Sequence, residues 1–200
     1  MAYATITEHL LSLSELSAQY PSSRINIDEP SKSLGLTSTD AQRLLIQYGE
    51  NKIAYHKTTM KKVKNALVKC IGKPIKNEFY SFPSPCHIIR DGNVVSISSV
   101  EVVPGDLVQL KTNDTVPADI RIIECNDNQL LTVYMMALTS KDSYPRYCTV
   151  NSTNEDIMET KNLCFAGFVV QEGQGLGLVV RTGLNTMLGR LVPLMAFNEN

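Results

Sequence analysis

The residues best suited to acid–base chemistry in this chain are three aspartates in its second half, Asp106, Asp114 and Asp119. Carboxylates that share acid–base work must meet in one site where their pKa values are pushed apart. The separations between these three aspartates do not predict such a meeting. We therefore expect them to cap turns and to be solvated at the surface.

The residue types that bind metals are scattered along the chain. Three histidines and five cysteines occur, with no Cys-x-x-Cys pair; the cysteines are Cys70, Cys86, Cys125, Cys148 and Cys164. Structural zinc sites need closely spaced ligands, so no metal site is expected. An odd cysteine count without a secretory signal suits a reducing compartment, with thiols mostly buried as small apolar side chains.

The common signatures of nucleotide binding and hydrolysis do not occur in these 200 residues. We find no G-x-x-x-x-G-K-[ST], G-x-G-x-x-G, H-E-x-x-H or G-x-S-x-G pattern. Gly173, Gly175 and Gly177 lie inside a β-rich region rather than at a strand-to-helix turn, so we interpret them as strand and turn glycines. No cofactor is expected on this chain.

The composition is that of a globular protein, with 43% apolar and 20% charged residues. The net charge of −1 offers no basic excess for binding nucleic acid. The apolar runs are too short to cross a bilayer. A chain of this length makes one ordinary domain or two small ones.

Residues 1–55 are predicted to be a helical segment. Ser12-Leu-Ser-Glu15 is a capping-box pattern that predicts a short helix to Tyr20. A second helix is predicted after Thr37, ending at Gly49. Its apolar face would consist of Ala41, Leu44, Leu45 and Tyr48. The polar, turn-rich stretch from Pro21 to Leu36 is typical of a loop.

Residues 56–85 form a lysine-rich linker. Seven lysines lie between Lys57 and Lys76 with no acidic residue among them. A helix here would place Met60, Val63, Leu67 and Ile71 on one face. Such a basic amphipathic helix can lie on an anionic membrane surface. The alternative is a solvated linker or a packing helix with a charged outer face.

Residues 86–200 are predicted to be mainly β structure, closed by a helix from Gly183 to Met195 with Asn185 as its N-cap. Asp91-Gly92 predicts a hairpin between two short strands. Short runs rich in β-branched residues follow, without helices between them, and suggest an antiparallel sandwich or jelly roll. The predicted strands are Cys86–Arg90, Val94–Ile97, Leu107–Lys111, Ala118–Glu124, Leu130–Met136, Leu163–Gln171 and Leu176–Thr182.

Two motifs in this β region are specific. Pro104-Gly105-Asp106 precedes one predicted strand, and Val116-Pro117-Ala118-Asp119 opens another. They closely resemble the "PGD" and "G-D-x-[IV]-P-A-D" turns of the actuator domain of P-type ATPases, ion pumps that cycle through a phosphoaspartate. Asn113 stands where glycine is usual in that family.

Further matches resemble the sodium/potassium and proton/potassium pump α subunits, and together they cover most of residues 8–55 and 86–195. The matching stretches are His9 to Tyr20, Gly35-Leu-Thr-Ser, Tyr48-Gly-Glu-Asn51, Glu159-Thr-Lys-Asn162, Val179-Val-Arg-Thr-Gly183 and Met187-Leu-Gly-Arg190. The resemblance implies a distorted antiparallel jelly-roll actuator domain with N-terminal helices and a C-terminal helix packed beside it. We expect its core to draw on Leu44, Leu45, Val108, Leu110, Ile120, Ile122, Val169, Leu178 and Val180.

The chain departs from this family in two places. The family has two transmembrane helices where this chain has only the lysine-rich linker. The family also carries a Thr-Gly-Glu-Ser loop, and the equivalent residues here are Ser140, Lys141, Asp142 and Ser143. An alternative register, which sets Leu138-Thr139 on the family's "L-T", needs a one-residue insertion. In either register the glycine and the glutamate are missing.

The change in this loop bears on catalysis. In the family the glutamate orients the water that attacks the aspartyl phosphate, and the glycine lets the backbone approach that phosphate. Asp142 is one methylene shorter than glutamate, and a misplacement of ~1 Å can cost ~100-fold in rate. Lys141 is too bulky for the close approach. We therefore expect no dephosphorylation activity from this loop.

The resemblance leaves alternative functions open. The chain is expected to be the actuator region of a sodium/potassium-type cation pump, or a degenerate actuator that binds and regulates a full pump; an unrelated jelly-roll module is the third alternative. These residues contain no Asp-Lys-Thr-Gly-Thr phosphorylation motif, so we expect the chain alone to be inactive. ATP and Mg²⁺ would act only through phosphorylation and nucleotide domains, in the same longer chain or in trans. The expected location is the cytosol or the cytosolic face of the plasma membrane.

Overall fold

The structure is a computed structural model that describes residues 6–53, 84–125, 130–135 and 145–190. Residues 187–190 are helical at the end of the last of these ranges. No helix in the described ranges has the length and apolar character needed to cross a membrane. The helices and strands are α1 (Leu13–Gln19), α2 (Ser38–Tyr48), β1 (Pro85–Arg90), β2 (Asn93–Ser98), β3 (Leu107–Lys111), β4 (Asp119–Cys125), β5 (Thr132–Met135), β6 (Arg146–Tyr147), β7 (Leu163–Cys164), β8 (Phe168–Glu172) and β9 (Gln174–Arg181).

Both predicted N-terminal helices form where their capping residues place them. Ser12 Oγ accepts a hydrogen bond from the Glu15 amide, and the Ser12 amide donates one to the Glu15 carboxylate, which completes the capping box. Thr37 caps α2, and Gly49 ends it with a φ of 76°. The apolar face of α2 packs against Leu36 and Val103 and is narrower than predicted. Of that face Ala41 is buried, Leu44 and Leu45 are half-buried, and Tyr48 is exposed.

The strands form two antiparallel sheets, which confirms the β-rich fold with few helices. The large sheet has the order β2-β1-β3-β9-β4-β7 and the small sheet the order β6-β5-β8. Asp91 and Gly92 have φ angles of 50° and 74°, the left-handed values that a tight two-residue hairpin turn requires. The predicted β1–β2 hairpin is therefore confirmed, while the jelly-roll arrangement stays a prediction.

The single strand predicted over 163–171 is wrong. The chain forms β7 on β4 in the large sheet, turns at Gly167 with a φ of 85°, and continues as β8 on β5 in the small sheet. β8 directs Phe168 and Val170 inward, so Val169 is half-buried and does not belong to the core as we expected. The turn at Gly173 then leads from the small sheet back to the large one.

The inner strands of the large sheet are buried on both faces, which explains why they are rich in consecutive apolar residues, whereas the edge strand β2 is mostly exposed. On one face Ile88, Val108, Ile122 and Val179 belong to the main core, together with Val133 and Val170 of the small sheet. On the other face, their neighbours along the strands pack against Leu16 of α1 and Ile25 of the following segment. The expected core residues Val108, Leu110, Ile120, Ile122, Leu178 and Val180 are all buried.

The C-terminal helix begins later than predicted. Gly183–Asn185 is a single 3₁₀ turn, and the helical residues start at Met187. Thr186, not Asn185, is the N-cap, because the Gly189 amide donates to Thr186 Oγ1 at 3.0 Å. The rest of the predicted helix, the lysine-rich linker from residue 54 to 83 and its predicted membrane face lie outside the described residues. The division at residues 55 and 85 stays a prediction.

Candidate functional site

The loop singled out by the sequence connects two strands of the small sheet. Ser140, Lys141, Asp142 and Ser143 lie outside the described residues, but the strands on either side of them are described. β5 and β6 pair antiparallel, with Thr132 opposite Tyr147 and Val133 opposite Arg146. The candidate site is therefore the connection of a short hairpin, whose position depends on how the small sheet is held.

The first family turn is built around a buried carboxylate. Asp106 is fully buried, and its side chain binds the Arg90 guanidinium through two hydrogen bonds of 2.8 and 2.7 Å. It also accepts a hydrogen bond from the Val103 amide at 2.9 Å. Gly105, which has a φ of 96°, donates its amide to the Val179 carbonyl and so ties the turn to β9. Burial raises the pKa of Asp106, and the Arg90 guanidinium opposes that rise.

The second family turn also contains a buried aspartate. The two carboxylate oxygens of Asp119 accept the amides of Ala166, at 3.0 Å, and Met187, at 2.7 Å. Asp119 thus joins the start of β4 to the crossing between the sheets and to the first residue of the C-terminal helix. Val116 of the same turn exchanges backbone hydrogen bonds with Gly167 and Phe168. Burial raises the pKa of Asp119 to about 6.

The expectation that these aspartates are solvated at the surface is wrong for two of them. Asp106 and Asp119 are fully buried because distant backbone amides and Arg90 replace their hydration. Asp114 does cap a turn, accepting the Lys111 amide at 2.8 Å. The φ of 74° at Asn113 explains the departure from the family's glycine, because asparagine tolerates the left-handed region better than most residues.

The stability of the fold should fall as Asp119 ionises. Its pKa is about 6 when folded and ordinarily 3.8, so the folded state holds the proton more tightly than the unfolded state. The contribution of Asp119 to the free energy of unfolding should therefore decrease between about pH 4 and pH 6, by up to ~3 kcal/mol, and level off above. We expect urea unfolding across this range to show the wild type losing free energy of unfolding relative to the Asp119→Asn variant, because the other titrating carboxylates are common to both.

Asp91 provides a control of opposite sign. Hydrogen bonds from Ser38 hold the pKa of this exposed carboxylate below its usual value. Its contribution to stability is present above pH 4 and is lost on acidification. A difference between wild type and Asp119→Asn that does not vary with pH would contradict the assignment to Asp119.

Asn51 links three parts of the fold that the sequence separates. Its side-chain amide donates to the Ser99 carbonyl at 2.9 Å and the Pro117 carbonyl at 2.8 Å, and its oxygen accepts the Gly183 amide at 2.7 Å. Ser84 binds the same turn, since Ser99 donates its amide to the Ser84 carbonyl at 2.8 Å. The chain on either side of segment 54–83 is therefore bound to the same Ser99–Glu101 turn, through Asn51 before the segment and Ser84 after it.

Two arginines of the large sheet, the buried Arg121 and the half-buried Arg181, hold the N-terminal segment on that sheet. Arg181 of β9 pairs with Glu8 at 2.7 Å, and Tyr20 donates to the same carboxylate at 2.9 Å. Burial opposes ionisation of Glu8, but the hydrogen bonds from Arg181 and Tyr20 outweigh it and hold the pKa of Glu8 below its usual value. Arg121 of β4 donates to the carbonyls of Glu8 and Leu11, and burial lowers the pKa of Arg121 to about 10.

Sequence reasoning missed Arg90, Asn51, Arg121 and Glu8 as residues that hold the site. Asn51 stood inside a matched motif, but its partners are up to 132 positions away. In the described ranges no three His, Cys, Asp or Glu side chains come together in a way that could hold a metal ion. These contacts join the two family turns, the N-terminal segment and the start of the C-terminal helix.

Comparisons with known proteins point to the same family that the two turns resemble. The P-type ATPase actuator domain family model matches residues 81–196. The chain is 35% identical over 117 residues to the P-type sodium-transporting ATPase4 of Toxoplasma gondii, covering 53% of this chain and 8% of that protein. It is 41% identical over 112 residues to the sodium/potassium-transporting ATPase subunit alpha of Hydra vulgaris, covering 56% and 10%. The chain thus spans a tenth or less of the length of these two relatives.

Proposed function

The chain belongs to the P-type ATPase actuator domain family, and from this we propose that it is the actuator region of a sodium/potassium-type cation pump. In that role it acts within a longer chain that drives ion transport across the plasma membrane with ATP. The observation that carries the proposal is that both family turns, at Asp106 and Asp119, are buried, hydrogen-bonded joints of one fold.

The contacts of Asn51 suit a domain that moves as a rigid body. Asn51 and Ser84 border the segment that stands in the place of the family's membrane helices, and both bind the Ser99–Glu101 turn. A force applied through that segment would reach the Val116–Asp119 turn through Pro117 and the C-terminal turn through Gly183. Swinging of a rigid domain about such a connection is a common form of conformational coupling.

We assign no dephosphorylation activity to the loop of this chain. The family resemblance gives that task to a glycine and a glutamate, and Lys141 and Asp142 occupy their positions. The short aspartate would place its carboxylate away from the attacking water, and the lysine would keep the backbone from the phosphate.

The proposal also assigns the pump's ligands and its contact with lipid. ATP and Mg²⁺ would bind the pump's other domains. The lysines from Lys57 to Lys76 would face anionic lipid on the cytosolic side.

The second candidate is a non-catalytic actuator that binds and regulates a complete pump in trans. The substituted loop favours it, since a regulator needs the shape of the domain and not its chemistry. Such a protein would copurify with an intact pump α subunit as a separate short chain. An actuator that is part of its own pump would copurify only with the rest of that chain.

A chimeric pump tests the proposal. Residues 1–53 and 84–196 replace the matching actuator segments of a sodium/potassium pump α subunit, whose own membrane helices stay between them. We expect the chimera to fold and to form phosphoenzyme from ATP, and the phosphoenzyme to decay ~100-fold more slowly than in the parent. A chimera that does not fold, beside a parent that does, would contradict the actuator assignment; decay at the parental rate would contradict the loss of loop activity.

A further inference from the structure

Two buried cysteines from different sheets have their sulfur atoms side by side. Cys148 directly follows β6, and its amide donates to the Leu131 carbonyl at 2.7 Å, which fixes it to the small sheet. Cys164 lies in β7 and pairs with Ile120 of the large sheet. Their Sγ atoms are 3.3 Å apart in the main core. A disulfide needs ~2 Å, so the sulfurs must approach by only about 1 Å.

We propose that Cys148 and Cys164 form a site of reversible oxidation, at which a hydroperoxide closes a disulfide between the two sheets. The proposal does not depend on the pump function. Neither cysteine belongs to a family turn or to the loop, and the hydrogen bonds that Asp106 and Asp119 accept in those turns involve neither thiol.

The reaction balances with hydrogen peroxide as the oxidant. A Cys148 sulfur attacks one peroxide oxygen, so that an S–O bond forms, the O–O bond breaks and the leaving hydroxide takes the thiol proton as water. The Cys164 sulfur then attacks the sulfenic sulfur, the S–S bond forms, and the S–O bond breaks with loss of a second water. The two sulfurs give up two electrons, and the peroxide oxygens receive them.

The roles of the two cysteines follow from their surroundings. The hydrogen bond with the Cys148 thiol and burial raise the pKa of Cys164, which makes its thiolate scarce, and we assign Cys164 the second step. Both thiols are buried, at 1% and 0% exposure, and oxidation therefore needs a local opening. β6 and β7 are two-residue strands at the edges of their sheets, where openings cost least.

Peptide mapping after trypsin tests the proposal on the full 200-residue chain. Cleavage at Arg146, Lys161 and Arg181 places Cys148 in peptide 147–161 and Cys164 in peptide 162–181, while Cys125 falls in peptide 122–141. After treatment with hydrogen peroxide and alkylation, we expect 147–161 and 162–181 to be joined, and a thiol reductant to separate them. The closed loop should raise the melting temperature by roughly 5 °C.

Variants distinguish this pair from general oxidation. Cys148→Ala and Cys164→Ala should each abolish both the joined peptide and the rise in melting temperature, and Cys125→Ala should change neither. If an alanine variant does not fold, the peptide mapping of the wild type still tests the proposal. Sulfinic or sulfonic acids as the only products, links that include peptide 122–141, or equal linkage in urea-unfolded chain would each overturn the proposal.

Discussion

In the chimeric pump, replacing Lys141 with glycine and Asp142 with glutamate together should speed the decay of the phosphoenzyme by about 100-fold. The glutamate restores the methylene that brings a carboxylate to the attacking water. The glycine removes a long cationic side chain and lets the loop backbone approach the phosphate. The decay is measured as loss of labelled phosphate from the phosphoenzyme after a chase with unlabelled ATP.

Single substitutions separate the two effects. Lys141→Gly alone and Asp142→Glu alone should each recover less than the pair, because the backbone approach and the positioned carboxylate are both needed in one transition state. Asp142→Asn in the unrestored chimera is the matched control and should leave the slow decay unchanged. No increase with the restored pair would mean that the surrounding hairpin differs from the family's in more than these residues.

The register of the loop can be tested in the same system. If this chain carries one residue more than the family, deleting Ser140 from the restored pair should speed the decay further. If the registers match without an insertion, the same deletion should abolish the gain. Either result places the loop relative to the strands β5 and β6.

Removing the carboxylate of Asp106 should lower the free energy of unfolding by ~3–5 kcal/mol. Asp106→Ala leaves the Arg90 guanidinium, whose side chain is only 15% exposed, without its ion-pair partner. It also leaves the Val103 amide without an acceptor. Urea unfolding of the wild type and the variant, followed by circular dichroism, gives the difference in free energy.

A double variant shows whether the unpaired charge causes the loss. Arg90→Met with Asp106→Asn removes both charges but keeps an acceptor for Val103, and should cost at least 2 kcal/mol less than Asp106→Ala. The exposed pair between Lys52 and Glu50 provides a second comparison, and Glu50→Ala should cost under ~1 kcal/mol. Equal costs for Asp106→Ala and Glu50→Ala would contradict a structural role for the buried pair.

Local features of this fold could be predicted from the sequence. The capping box at Ser12 and the Asp91-Gly92 hairpin depend on residues within a few positions of each other, and both are confirmed. The change of sheet at Gly167 could not be predicted, because a continuous apolar run does not tell which sheet each half will join. The wrong prediction that Val169 belongs to the core follows from this change of sheet. Buried and exposed side chains alternate separately in β7 and in β8, so the pattern of one strand does not continue into the other.

The long-range hydrogen bonds of the buried residues Asp119 and Asn51 could not be predicted, for a different reason. Asp119 binds amides 47 and 68 positions away, and Asn51 binds Gly183 across 132. An aspartate in a turn has the same sequence pattern whether water or a distant amide solvates it. The family resemblance located both turns without showing that their carboxylates are buried. The loss of loop chemistry at Lys141 and Asp142 stays a prediction from the sequence.

The central claim, that this chain is part of a pump, is tested most directly by the mass of the native protein. An antibody against the segment from Ser140 to Tyr147 distinguishes this chain from relatives with the intact loop. On an immunoblot of native tissue fractions, we predict a band several times larger than a 200-residue chain, in the membrane fraction. A band only at the size of 200 residues would contradict the claim and favour the separate regulatory protein.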